Sequence, residues 1–104
     1  MKTEELLAFK ALVEAKAKMH SINDYLKRNH DTEVLGLFPE IHVWGVNKFY
    51  GLAKALNAEV SSYHWESSSG NFDTKLSFDV TSKEYGITFE VYTLKEKAEG
   101  GENK

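Results

Sequence analysis

The stretch "IHVWGVNKFYGLAKALN", residues Ile41–Asn57, decides the fold class because its apolar period changes partway. In its first half, apolar residues alternate with others, which is the period of a β-strand with one buried face. After Gly45 the apolar residues recur every three or four positions, which is the period of an amphipathic helix. The residues of the predicted buried helix face are Phe49, Leu52, Ala53 and Leu56. The stretch therefore predicts a strand that ends at Gly45 and a helix that runs from Val46 or Asn47 to Leu56.

Upstream, the segment from Thr3 to about Arg28 contains no glycine or proline and is rich in strong helix formers. The sequence "HSIND", residues 20–24, favours caps, so one helix and two helices with a break there both remain open. One apolar stripe runs along the whole predicted helix: Ala8, Leu12, Ala15, Met19, Ile22 and Leu26. We predict that this stripe faces the core.

A second apolar row, Leu6, Phe9 and Val13, continues to Ala17 and lies roughly 140° around the same helix. Two interpretations remain open. The row packs between two elements of its own domain, or it packs against another copy of the chain or a partner. Under the second interpretation, Leu6, Phe9 and Val13 form an oligomer interface.

The second half of the chain reads as three strands. Residues 59–66 form the first, and an alternating run from Phe72 to Val80 is followed by a turn and a further strand through Tyr92. The expected fold is α+β, with element order α-β-α-β-β-β. It is a two-layer sandwich in which two helices cover one face of a four-stranded, mostly antiparallel sheet. The pairing direction of the first strand remains open.

A sheet covered on one side leaves its other face to solvent or to a partner. Strand parity assigns to the helix side Ile41, Val43, Tyr63, Trp65, Leu76, Phe78, Phe89 and Val91. Parity assigns the candidate binding residues to the open face: His42, Trp44, His64 and Tyr92. Trp44 stands out because a tryptophan on a polar face has more apolar area than solvent tolerates cheaply, so it requires a cover. The cover is either part of the chain itself, namely a loop, the end of the first helix or the segment "SSSGN", or a partner.

An enzyme is the main alternative class. His42 and His64 with Glu66 would supply two imidazoles and a carboxylate for a small ligand or a metal ion. The three residues share only strand parity, and the chain contains no HExxH, phosphate-binding loop, GxSxG or cysteine. We therefore assign no catalytic residue, metal ligand or cofactor from the sequence.

The composition of the chain limits the number of domains and the kinds of partner that it can have. The 104 residues fit a single domain, 1–104, with a core over about 3–94 and a frayed charged tail at 95–104. No apolar run approaches the roughly 20 residues that span a bilayer, so no membrane partner is expected, and the cytoplasm is the default location. The net charge of -3 disfavours nucleic acid. Single-strand binding with Trp44 and Tyr92 as stacking platforms is the third alternative.

In layout, "EIHVWGVNKFYGLAKALN", residues 40–57, together with the charged amino-terminal helix resembles small uncharacterised proteins encoded by phages and prophages of Gram-positive bacteria. The resemblance implies an accessory viral role that engages a host protein or a defence component, in the host cytoplasm. It transfers no functional residue. The function predicted from the sequence is a non-catalytic protein-interaction module that forms a homo-oligomer and binds a protein partner.

Overall fold

The computed structural model describes residues 2–32, 37–65 and 70–96. Two helices and four strands lie in these ranges. In chain order they are α1 (Thr3–His30), β1 (Glu40–His42), α2 (Val46–Ala55), β2 (Ser61–His64), β3 (Phe72–Thr81) and β4 (Thr88–Glu96). The predicted element order is confirmed.

The four strands form one sheet in the order β1-β4-β3-β2. β1 pairs parallel to β4, whereas β3 pairs antiparallel to both β2 and β4. The sheet is thus mixed and mostly antiparallel, and the question of how β1 pairs is answered. β1 and β2 lie at opposite edges of the sheet, so the connection through α2 crosses the two strands between them.

The core lies between the sheet and the helices. α2 buries the predicted face, and its Phe49 packs against Phe78 of β3 with ring centroids 5.2 Å apart. The buried apolar residues are Val13, Ala17, Ile41, Phe49, Leu52, Ala53, Leu76, Phe78, Phe89 and Val91. The sheet residues among them match the predicted helix-side parity in β1, β3 and β4.

α1 is a single helix with no break at residues 20–24, but it is rotated relative to the prediction. Val13 and Ala17 are buried in the core, and Leu6 and Phe9 pack against it. The row proposed as an oligomer interface, Leu6, Phe9 and Val13, therefore faces the chain's own core and offers no free surface at Val13. Of the two interpretations left open for this row, packing within its own domain is the one that the structure shows.

The stripe predicted to face the core points away from it. Its large residues are half exposed: Leu12 by 48%, Met19 by 53% and Ile22 by 50%. That prediction was wrong because both faces of the helix are apolar, and the rotation depends on contacts that local periodicity does not contain.

The rotation of α1 is fixed by Glu14, which reaches the turn between β3 and β4. The hydroxyl of Ser82 donates a hydrogen bond to Glu14 Oε1 at 2.7 Å, and the backbone N–H of Lys83 donates to Oε2 at 2.9 Å. Farther along the helix, His20 packs edge-on against Phe89 with centroids 5.3 Å apart. These two contacts, of Glu14 with the hairpin turn and of His20 with β4, together fix the orientation of α1 on the sheet.

Glu14 also makes stability depend on pH. The hydrogen bond from Ser82, followed by that from Lys83, lowers the pKa of Glu14 below its ordinary value of 4.5. A carboxyl whose pKa is lowered by folding stabilises the folded state above its unfolded pKa, and the stabilisation is lost as pH falls through the folded pKa. We expect Glu14→Gln to be less stable than the wild type at neutral pH and to lose less stability on acidification below about pH 5. Urea unfolding at a series of pH values measures both slopes, and equal slopes would contradict the assignment.

Candidate binding site

Three aromatic side chains stack at one corner of the open sheet face. The His42 ring lies between two others, with its centroid 4.0 Å from that of Trp44 and 4.6 Å from that of Tyr92. The His42 and Tyr92 planes are nearly parallel, at 12°. Trp44 remains 78% exposed in spite of this stacking. The stack holds the indole in place while leaving most of it accessible, which preorganises it for contact with a partner.

Lys75 of β3 extends the stack across the sheet. Its Nζ lies 4.8 Å from the centroid of the Tyr92 ring, a cation–π distance, and donates a hydrogen bond of 2.9 Å to Glu90. That hydrogen bond, working against partial burial, raises the pKa of Lys75. The lysine therefore stays charged at physiological pH and fixes the position of the Tyr92 ring.

A groove of about 470 Å³ lies beside the stack, where β1 ends and β4 continues. Four consecutive residues of β4, Thr93 to Glu96, form one side, and the turn from Trp44 to Val46 forms the other. The side chain of Phe72 borders it as well. Because the groove touches successive residues of β4 rather than alternate ones, it includes the edge of that strand, and it reaches Phe72 of the neighbouring β3.

The local sequence explains why β1 stops there. Gly45 has φ +102°, a conformation that side-chain-bearing residues rarely adopt, and it turns the chain from the strand into the first turn of α2. Its carbonyl accepts the N–H of Phe49 at 3.0 Å. On β3, a register shift between Phe72 and Thr74 pairs Phe72 with Glu96. This β-bulge takes Phe72 out of the core-facing series and brings it to the groove.

The β4 backbone has an unpaired edge along the groove. β1 pairs only with residues 90–92 of β4, and its last contact is a hydrogen bond of 2.8 Å from the N–H of Val43 to the carbonyl of Tyr92. Hydrogen-bonding direction alternates along a strand, so the N–H and C=O of Leu94 point to the same side as those of Tyr92. Within the described ranges, no strand pairs with β4 on that side beyond Tyr92.

His64 does not join this site, so its assignment to the open face was wrong. β2 pairs His64 with Thr74 and Ser62 with Leu76, both of which are helix-side positions. Nδ1 of His64 lies 3.0 Å from the hydroxyl of Thr74. The reason is Val60, which packs against the core just before β2 and sets the parity of the residues that follow.

The same parity moves two aromatic residues in the opposite direction. Tyr63 pairs with Lys75 on the open face and is largely exposed, and its ring stacks with that of Trp65 at 6.0 Å. The prediction that Tyr63 and Trp65 face the helices was therefore wrong.

The enzymatic alternative needed His42, His64 and Glu66 together. The structure places the two histidines on opposite faces and opposite edges of the sheet, at least three strand spacings or roughly 14 Å apart. Glu66 lies outside the described residues. In the part of the chain that is described, no group of three or more histidine, cysteine, aspartate or glutamate side chains is placed to hold a metal ion.

Several groove residues were missed by the sequence analysis. Phe72 was placed only at the start of an alternating run, and a bulge in that run cannot be read from alternation. Leu94 was missed because the strand was followed only to Tyr92, although Leu94 continues the outward parity of Glu90 and Tyr92. Lys95 and Glu96, assigned to a frayed tail, belong to β4; the tail predicted beyond them lies outside the described residues.

Fold and site together define a two-layer α+β chain with a preorganised aromatic groove at a strand edge. Comparisons of the chain with protein-family models, with curated proteins and with solved structures find no match. Among the described helices, none has both the length and the apolar character required to cross a bilayer.

Proposed function

We propose that this chain is a non-catalytic interaction module that binds an extended segment of a partner protein in the groove beside Trp44. The observation that carries the proposal is the coincidence of an unpaired strand edge, at Leu94, with an exposed and stacked tryptophan. An extended peptide that pairs with such an edge gains backbone hydrogen bonds, and adjacent apolar pockets give it specificity.

The dimensions fit a short segment. The groove follows four residues of β4, about 13 Å at the rise of a β-strand, so it takes three to four residues of the partner. The segment would continue the line of β1. Trp44, Leu94 and Phe72 would contact apolar or aromatic side chains of the segment, with Lys95 and Glu96 at the rim.

Charge favours a peptide over single-stranded nucleic acid. The open face carries aromatic platforms, but Glu40, Asp79 and Glu90 lie on the same face, and Glu90 is already paired with Lys75. Carboxylates at these positions repel a phosphate backbone. The corresponding test is a labelled oligothymidylate, for which we expect no binding that falls with salt.

If the resemblance to phage-encoded accessory proteins holds, the partner is a host or defence protein. The groove would then recognise a short apolar stretch of that protein in an extended conformation.

Trp44→Ala tests the function directly. Random heptapeptides displayed on phage are selected on the immobilised wild-type protein, and the enriched sequences are synthesised for calorimetry. We expect Trp44→Ala to weaken binding by about tenfold or more, since exposed aromatic anchors dominate such contacts. Tyr25→Ala, which removes another half-exposed aromatic residue from the far end of α1, is the matched control and should leave affinity unchanged.

Leu94→Pro distinguishes backbone pairing at the edge of β4 from non-specific apolar binding. Proline removes the N–H of Leu94, which points at the groove, and it is tolerated at a strand edge where that N–H has no partner. Leu94→Ala keeps the N–H and shortens the side chain. Peptides that bind Leu94→Pro as well as they bind Leu94→Ala would rule out backbone pairing, and failure of any peptide to enrich on the wild type would overturn the function.

A further inference from the structure

The face of α1 that points away from the sheet carries a continuous apolar stripe, which we call the seam. Its residues are Ala8, Leu12, Ala15, Met19, Ile22 and Leu26. The two alanines are exposed, Leu26 is half buried, and the three other large residues are each about half exposed. Scattered apolar residues are normal on a protein surface, but six on one line are not scattered.

The spacing of the seam is that of a coiled coil. Its residues follow one another at intervals of 4, 3, 4, 3 and 4, which repeats every seven residues, and no charged residue interrupts it. A helix that packs only on its own domain needs a broader stripe of period 3.6. α1 already has such a face on its other side, where Val13 and Ala17 are buried. The seam is therefore additional to what the fold itself uses.

We infer that the seam is a self-association surface, on which α1 of a second copy packs antiparallel across a two-fold axis near residue 17. The occupant follows from the sizes of the side chains. With the axis at residue 17, Met19 of one copy lies opposite Ala15 of the other, and Leu26 lies opposite Ala8. Leu12 then lies opposite Ile22. Two of these three pairs place a large residue against an alanine, and in the third pair two large residues meet, so the two seams interdigitate at Ala8 and Ala15 of each copy.

The predicted dimer is weak. The seam from Ala8 to Leu26 is about 27 Å long, which gives a contact at the lower end of the size range of specific interfaces. Lys18 flanks the seam next to the axis, so the two Lys18 side chains approach one another in the dimer. We therefore expect micromolar dissociation and, because salt screens the lysine pair, tighter association at higher ionic strength.

Sedimentation equilibrium of the full chain tests the interface. Met19→Glu should raise the dissociation constant by about tenfold or more, because it places two glutamates in the apolar contact. The control is Leu7→Glu, since Leu7 is exposed on the same helix but lies outside the seam. A wild type that stays monomeric at all concentrations, or equal effects of the two variants, would overturn the inference. Circular dichroism verifies folding, and Met19→Ser replaces Met19→Glu if the latter unfolds.

Cysteine cross-linking tests the orientation independently. The chain has no cysteine, so single replacements are unambiguous. A mixture of Ala15→Cys and Met19→Cys chains should give mainly the mixed disulfide dimer, because these positions face each other across the proposed axis. Self-linked dimers of Met19→Cys alone would show a parallel contact and overturn the antiparallel arrangement.

The peptide groove is not involved in the proposed dimer. Trp44→Ala should dimerise normally, and Met19→Glu should bind peptide normally, so either proposal can fail without the other.

Discussion

Val13→Asp is expected to lower the free energy of unfolding by about 3–5 kcal/mol, whereas Leu12→Asp, one residue earlier, is expected to lower it by less than about 1 kcal/mol. Val13 is 3% exposed against the sheet, so an aspartate there would be a buried charge without a partner. Leu12 points away from the sheet and leaves room for hydration of a carboxylate. Leucine is the better helix former, so the change at Leu12 costs the helix slightly more intrinsic propensity than the change at Val13, and a larger loss at Val13 is therefore due to burial.

Urea unfolding monitored by circular dichroism measures both variants. The protein concentration is kept low enough for the wild type to be monomeric, because Leu12 also belongs to the seam. A larger loss at Leu12 than at Val13 would mean that α1 lies on the sheet with its other face, as the sequence pattern had indicated, and would remove the seam as a free surface.

The rotation of α1 illustrates what periodicity leaves undetermined. The helix, its length and both apolar rows follow from the sequence, because helix formers and a period of 3.6 are local properties. Which row turns inward depends on distant residues. Glu14 meets the hairpin turn at Ser82, nearly seventy residues away, and that contact has no local signature.

In the sheet, too, some features follow from the local sequence and others depend on residues elsewhere in the chain. In β3 and β4 the alternation is unambiguous, so the faces of Leu76 and Val91 were predicted correctly. β2 is a short edge strand whose residues are all exposed, and the aromatic residues Tyr63 and Trp65 suggested burial. Val60, a residue just outside the strand, determines instead which face of β2 turns towards the helices.

The candidate site was predicted in part. Strand parity placed His42, Trp44 and Tyr92 together on the open face, and the structure stacks them. Parity could not reveal that β1 ends at His42 while β4 continues to Glu96, because strand pairing lengths depend on partners far apart in the chain. The groove lies where β4 extends beyond the end of β1, which is why the groove residues of β4 were missed.

Phe49→Ala should destabilise the protein by about 3–5 kcal/mol, the range for removing a fully buried aromatic ring and leaving a cavity. Phe49 has no exposed surface and packs against Phe78, which ties α2 to the middle of the sheet. The total stability of a single domain is about 5–15 kcal/mol, so this loss is a large fraction of the free energy of unfolding.

Two further variants separate the cavity from other effects of changing α2. Tyr50→Ala alters the neighbouring, half-exposed ring and should cost less than about 1 kcal/mol, while Phe49→Leu keeps most of the volume and should cost less than about 1.5 kcal/mol. The N–H of Phe49 bonds to Gly45, so the position of α2 also shapes the wall of the groove. Phe49→Leu should therefore retain peptide binding wherever it remains folded. A Phe49→Ala protein as stable as Tyr50→Ala in urea would show that α2 does not hold the sheet, and the groove would lose its structural support.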